Sequence, residues 1–146
     1  MLGSSLLVIA PAQSSRQDVH APTSNIDLLP TILGLAGKSV PAGLEGRPLP
    51  GLGGSALGQT RSIFSVEAKE CSAFGSLDNG ATISLIKDSQ KLIYYTGYRK
   101  RPDVFELYEL QNDPEEMSDL MLTDPSAGKL LRQELLDTFE QHRNPK

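Results

Sequence analysis

The chain has 146 residues, 38% apolar, 22% charged and 5% aromatic, with 14 Lys and Arg against 18 Asp and Glu for a formal net charge of −4. A folded chain of this size withdraws roughly 70% of its unfolded surface from water, so disorder is not the default. The acidic balance argues against nucleic acid as a partner, since the longest basic run is Arg99-Lys100-Arg101. Cys71 is the single cysteine, which excludes an intrachain disulfide and a Cys-based structural zinc site. No apolar run approaches the roughly 18 residues of a membrane span, so no membrane partner is expected.

The opening Met1–Ala12 imitates a signal peptide, but it has no basic n-region and its unbroken apolar run is only Leu6–Ala10. The chain is therefore expected to be soluble, and its compartment stays unknown. Leu6-Leu7-Val8-Ile9-Ala10, stopped by Pro11, instead predicts a strand covered on both faces. Ser24–Gly37 reads as a helix, with Ser24 placed to cap it, Asp27 at its positive end and Gly37 as its C′ stop. Ile26, Leu29, Leu33 and Ala36 fall on one face. Pro30 must lie in the first turn or kink the helix. From Lys38 to Gln59 nine residues are Gly or Pro, which marks a connector and a domain boundary.

Beyond it the period changes to two. Ser62–Ala68, Ala81–Lys87, Lys91–Thr96 and Val104–Leu110 are four strand-like runs, with Asp78-Asn79-Gly80 as a turn signal and Asp88-Ser89-Gln90 short enough for a hairpin. An antiparallel meander follows. Asp124-Pro125 offers an N-cap and a first helical residue, and Leu131, Leu135, Phe139 and His142 recur along one face of a C-terminal helix.

Few residues carry a chemical signature. His20 and His142 are the only histidines and have no metal-ligand spacing, so His142 reads as half-buried and structural and His20 as surface. Gly51-Leu52-Gly53-Gly54 resembles a phosphate loop but follows Pro48 and Pro50 instead of a strand, which favours a connector. Cys71 has Lys69 nearby and no adjacent histidine, the pattern of an inert thiol at a strand end. Asn112-Asp113-Pro114-Glu115-Glu116 lacks the ligand alternation of a calcium loop; Asp113 as an N-cap, with Pro114 first in a helix, explains the same residues. Asp103–Asp124 holds eight acidic residues and no Lys or Arg, directly after the Arg99–Arg101 run, and the two read as solvated loops of opposite sign.

Three segments in this order resemble the C-terminal end of a sulfatase, a metal-dependent hydrolase of the alkaline-phosphatase superfamily. They are Ser24-x-x-Asp27-Leu28-Leu29-Pro30-Thr31-Ile32-Leu33-x-Leu35-Ala36-Gly37, then Gly43-Leu44-Glu45-Gly46-Arg47-Pro48-Leu49, then Phe105-Glu106-Leu107-Tyr108-Glu109-Leu110-Gln111-Asn112-Asp113-Pro114-Glu115-Glu116-x-x-Asp119-Leu120. Glu109 stands where the family has Asp, and Asp119 where it has Asn. The resemblance implies sulfuric ester hydrolysis in a full-length relative, using a formylglycine from a C/S-x-P-S-R motif and a divalent cation, calcium or magnesium. Neither group is implied for this chain. Cys71-Ser72-Ala73-Phe74-Gly75 does not match that motif, and Gln13-Ser14-Ser15-Arg16 lacks its proline. No catalytic, cofactor-binding or metal residue is therefore assigned, and the chain is expected to be inactive alone.

The expected fold class is α+β. A strand–helix remnant of the sulfatase α/β domain occupies 1–37, a Gly/Pro-rich connector 38–60, and a four-stranded antiparallel sheet packed with a C-terminal helix 61–146. The expected partner is the missing N-terminal sulfatase domain or another copy of the chain. The alternatives are a fragment of a phosphonate or phosphodiester hydrolase of the same superfamily, and a stand-alone interaction module.

Overall fold

A computed structural model describes residues 6–9, 14–54, 61–68 and 80–143. The chain divides into two compact units, Leu2–Gln59 and Thr60–Lys146.

In the first unit a 3-10 turn, Asn25–Asp27, runs into α1, Leu28–Leu35. The Asp27 carboxylate accepts the Ser24 N–H at 2.9 Å while the Asp27 N–H donates to the Ser24 carbonyl at 3.0 Å. Two of the donors that a helix start leaves orphaned are thereby satisfied. Pro30 sits in the first turn of α1, where its missing N–H forfeits no helical hydrogen bond. Gly37 ends the helix at φ +66°, with the Lys38 N–H reaching the Leu33 carbonyl at 2.8 Å. This is the left-handed stop its position predicts.

Two expectations for this unit are corrected. Leu6–Ile9 forms no strand, and Ala10 lies outside the described residues; a strand is stable only when its N–H and C=O groups find a ladder, and none pairs with it among the described residues. The buried side of α1 is also not the Ile26/Leu29/Leu33/Ala36 face. Asp27, Pro30 and Thr31 are buried, whereas Ile26, Leu29, Ile32 and Leu35 are each at least 51% exposed. Within the connector, a parallel bridge joins Pro50 to Gly54.

The second unit is a four-stranded antiparallel meander in sequence order: β1 (Ile63–Ala68), β2 (Ala81–Lys87), β3 (Gln90–Thr96) and β4 (Val104–Glu109). The β2–β3 hairpin turns through two residues, with Asp88 at φ +54°, the backbone that matches the twist of the flanking strands. Register aligns Ile83 with Tyr94, Leu85 with Leu92, and Leu92 with Leu107. Alternation sends these side chains to one face, where Leu131 and Leu135 of α2 (Lys129–Arg143) complete the core. Ala81, Leu85, Leu92, Leu107 and Leu135 have no solvent exposure. The Ser62 hydroxyl and the Lys87 ammonium both donate to Glu134, the latter at 2.7 Å, tying α2 to the sheet.

The sheet and its C-terminal helix are as the sequence predicts, but α2 starts later. Asp124 is not its N-cap: its side chain accepts the Ser126 N–H in a separate turn, and Gly128 at φ +69° reorients the chain before Lys129. A Cβ at position 128 would meet a Leu107 methyl at 3.0 Å, so this turn favours glycine. Asp113 caps no helix either. Its two carboxylate oxygens take the Met117 and Ser118 N–H groups at 2.9 Å, closing a turn. Glu116 in left-handed backbone (φ +56°) reaches Lys91 with both oxygens at 2.8 and 2.9 Å, a pairing a helix would misdirect.

Candidate functional site

The first two family-like segments meet in one clamp. Asp27 accepts the Arg47 N–H at 2.9 Å as well as that of Ser24, and the Thr31 hydroxyl donates to the Asp27 carbonyl at 2.6 Å while accepting the Leu49 N–H at 2.8 Å. Gly46 passes so close to the helix that a Cβ there would lie 2.0 Å from the Ile26 carbonyl oxygen. Gly54 is equally pressed, 1.9 Å from the Pro48 carbonyl oxygen. Asp27, Thr31 and Gly46 are thus structural residues. Both carboxylate oxygens of Asp27 accept from backbone N–H groups.

The third segment is also architectural over part of its length. Asp119 caps the outer edge of β4 by accepting the Leu107 N–H at 3.0 Å, and it takes the Met121 N–H at 2.9 Å. A sheet edge with its donor covered cannot template another strand there.

Glu106 differs. It lies on the sheet face opposite α2, where its Oε2 accepts the hydroxyls of Tyr95 at 3.0 Å and Tyr108 at 3.1 Å. Register places Tyr95 opposite Val104 and Glu106 opposite Ile93, so the Tyr95–Glu106 contact is a cross-strand diagonal. Tyr95, Tyr98, Arg101, Pro102, Val104 and Glu106 line a cleft of about 420 Å³ on this face. The Tyr98 hydroxyl shares a 2.7 Å hydrogen bond with Thr82, and its ring covers Gly80, where a Cβ would meet it at 2.8 Å.

Burial and the Glu106 carboxylate push the Tyr95 hydroxyl up to about 12, and the same two causes raise Tyr108 further. Both therefore stay protonated hydrogen-bond donors at neutral pH, unsuited to act as phenolate nucleophiles. Beside the cleft, Asp103 accepts from Tyr94, Thr96 and the Gly97 N–H at 2.6, 2.9 and 3.2 Å. The Tyr94 and Thr96 hydroxyls hold its carboxyl below the usual range.

The residues weighed from sequence do not gather here. His20 is exposed in the first unit; His142 is exposed on α2, its Nδ1 2.8 Å from the Thr138 carbonyl, instead of half-buried on the apolar stripe. The helix stripe ends at Phe139 because the core does not extend to its last turn. Cys71 and Lys69 lie outside the described residues, as does Gln13; Arg16 pairs at the surface with Asp18 at 2.8 Å. Gly51–Gly54 forms a turn in which the Leu52 and Gly54 N–H groups donate to the Leu49 carbonyl at 3.0 and 3.1 Å, and residues 55–60 after it lie outside the described residues. Among the described residues no three His, Cys, Asp or Glu are placed to hold a metal ion. No helix among them is long and apolar enough to cross a membrane.

The cleft itself is not visible in the sequence pattern. Its signals are present, in the Tyr94-Tyr95 pair, the Tyr98 that follows and the adjacent basic run, but that run reads as a solvated loop. Only the register shows that Tyr95 and Glu106 share a face.

Known proteins place this architecture in a family. No curated protein matches the chain. One similar solved structure, "Structure of BT4656 in complex with its substrate D-Glucosamine-2-N, 6-O-disulfate", is 22% identical, with a TM-score of 0.49, and the alignment covers 80% of this chain. This chain spans 23% of the length of that protein. The family model for the C-terminal region of N-sulphoglucosamine sulphohydrolase matches residues 2–144, and the chain belongs to that sulfatase C-terminal family.

Proposed function

We propose that the chain forms the C-terminal part of a sulfatase-type hydrolase, one that releases sulfate from sulfuric esters or N-sulfated glucosamine, and that it is catalytically silent by itself. The observation that carries this reading is the family match over residues 2–144. The formylglycine and the divalent cation of such an enzyme would be supplied from outside these 146 residues, since the sequence has no C/S-x-P-S-R motif. The role of the chain is then structural completion. Its partner is the large sulfatase domain, and the outward Ile26, Leu29, Ile32 and Leu35 of the α1 region are the apolar surface offered to it. The family match also favours this reading over a phosphonate or phosphodiester hydrolase.

Two measurements test it. The purified chain with calcium or magnesium is expected to release no sulfate from N-sulfoglucosamine; metal-dependent release would overturn its silence. Mass spectrometry of the native polypeptide is expected to find a C/S-x-P-S-R segment in the same polypeptide or in a tight complex with it. A free, functional 15.8 kDa protein without one would favour the interaction-module reading.

A further inference from the structure

We propose that the cleft on the sheet face opposite α2 binds an anionic saccharide unit. Arg101 would hold its sulfate or carboxylate, Glu106 would accept from its hydroxyls, and the tyrosine rings would carry its apolar face. The inference rests on the function proposed above only for the choice of a sulfated glucosamine as ligand.

Three independent features converge on it. First, the donors and acceptors are complementary to a sugar with an acidic substituent. The Glu106 Oε2 is taken by two tyrosine hydroxyls, and Oε1 has no hydrogen-bond partner among the described residues. A carboxylate oxygen can accept two hydrogen bonds, so capacity is left for a ligand hydroxyl or amine. Arg101 presents a guanidinium fork matched to the paired oxygens of a sulfate or carboxylate.

Second, the positive charge is concentrated and unpaired. Arg99, Lys100 and Arg101 occupy one turn, and none of their side chains makes an ion pair or hydrogen bond among the described residues. The nearby Asp103 carboxylate is already engaged by three donors.

Third, the turn is held rather than loose. Lys100 adopts φ +69°, an unfavourable region for a residue with a side chain, and the Arg101 N–H donates to the Tyr98 carbonyl at 3.2 Å. Asp103 fixes the other end through Gly97 and Thr96. The backbone that carries Arg101 is therefore held at the cleft without first being ordered by a ligand, which lowers the entropic cost of binding. The volume of about 420 Å³ suits one or two sugar rings, and tyrosine rings pack against the C–H faces of such rings while their hydroxyls remain bonded.

The test is a titration of the full chain, followed by amide NMR, with an N-sulfated glucosamine disaccharide, its unsulfated counterpart and sodium sulfate as separate probes. Saturable shifts at Tyr95, Tyr98 and Val104 are expected with the sulfated sugar, and binding at least about tenfold weaker with each of the other two. Arg101→Gln, at an exposed position, is expected to leave the spectrum folded and weaken binding about tenfold or more, the loss of a charge-assisted pair. Tyr95→Phe keeps the ring and is expected to cost about twofold.

Equal affinity for sodium sulfate would reduce the site to an anion hole and overturn the saccharide. Absence of shifts at the cleft, or unchanged affinity in Arg101→Gln, would overturn the site. The two proposals fail separately. Arg101-dependent sugar binding by a protein unconnected to any sulfohydrolase would leave the cleft standing, and a sulfohydrolase domain with no such binding would do the reverse.

Discussion

The two units of the chain bury opposite kinds of residue. Thr60–Lys146 hides a continuous apolar core of Ile83, Leu85, Leu92, Leu107, Leu131 and Leu135, with Tyr94 among them, and lines a surface cleft with Tyr95, Tyr98, Glu106 and the basic turn. Leu2–Gln59 hides Asp27 and Thr31, with Pro30 and Leu49 beside them, and exposes Leu6, Leu7, Ile9, Ile26, Leu29, Ile32 and Leu35. The first arrangement draws its stability from water exclusion within itself. The second is held by directed hydrogen bonds and leaves its apolar surface exposed. A family-like motif can therefore mark a polar clamp, as at Asp27, as readily as it marks chemistry.

Breaking the apolar unit should have the largest effect. Leu107→Ala or Leu135→Ala removes a side chain with no exposure and is expected to cost roughly 2–5 kcal/mol in denaturant unfolding. A loss under about 1 kcal/mol would mean that the core is less closed than described.

Lys91→Ala leaves Glu116 without its bidentate partner where the two side chains are only 17% and 12% exposed, and is expected to cost about 3 kcal/mol. The contrast with the surface pair is sharp. Arg16→Ala, whose partner contact is 84% and 56% exposed, is expected to change stability by less than about 0.5 kcal/mol.

Breaking the clamp should affect one unit and spare the other. Asp27→Asn keeps the shape but weakens acceptance from Ser24 and Arg47, with an expected cost of about 1–3 kcal/mol local to Leu2–Gln59. Hydrogen exchange should accelerate at Arg47 and Leu49 and stay unchanged at Leu85 and Leu92. Equal acceleration in both sets would show that the two units unfold as one.

The smallest effects are the pH effects, and they run in opposite directions. Burial alone would raise Glu134, but the hydrogen bonds from Lys87 and Ser62 outweigh it and hold its carboxyl below the usual range. Its contribution is thus present above the unfolded carboxylate range and lost as pH falls through the folded value. Glu134→Gln should flatten the acid limb of the stability curve. Tyr95 is raised from 10.0 to about 12, so its contribution is complete below pH 10 and lost as pH climbs toward 12. Tyr95→Phe should weaken that alkaline loss, and ultraviolet titration should show its late ionisation disappear.

Much of the meander is legible in the sequence because strand alternation and tight-turn chemistry are local. Ala81–Lys87 matches its predicted bounds, and the other three strands agree to within a residue at either end. The ends of α1 are equally local, since Ser24, Asp27, Pro30 and Gly37 act on their immediate neighbours. The basic turn is exposed, as its composition predicts, but its place as the wall of a cleft is hidden from sequence, because a single strand cannot say which residue of the next one lies beside it.

The sequence by itself determined the order of elements, the change of period near residue 60, the caps of α1 and the absence of a formylglycine motif. Tertiary structure decided which side of α1 faces inward, because Asp27 and Thr31 have partners at Arg47 and Leu49, 20 and 18 residues away. It also decided that Leu6–Ile9 forms no strand, that α2 waits until Lys129, and that Tyr95 and Glu106 meet. Hydrophobic period records only what each segment prefers; a long-range hydrogen bond or a ladder partner decides whether that preference is met.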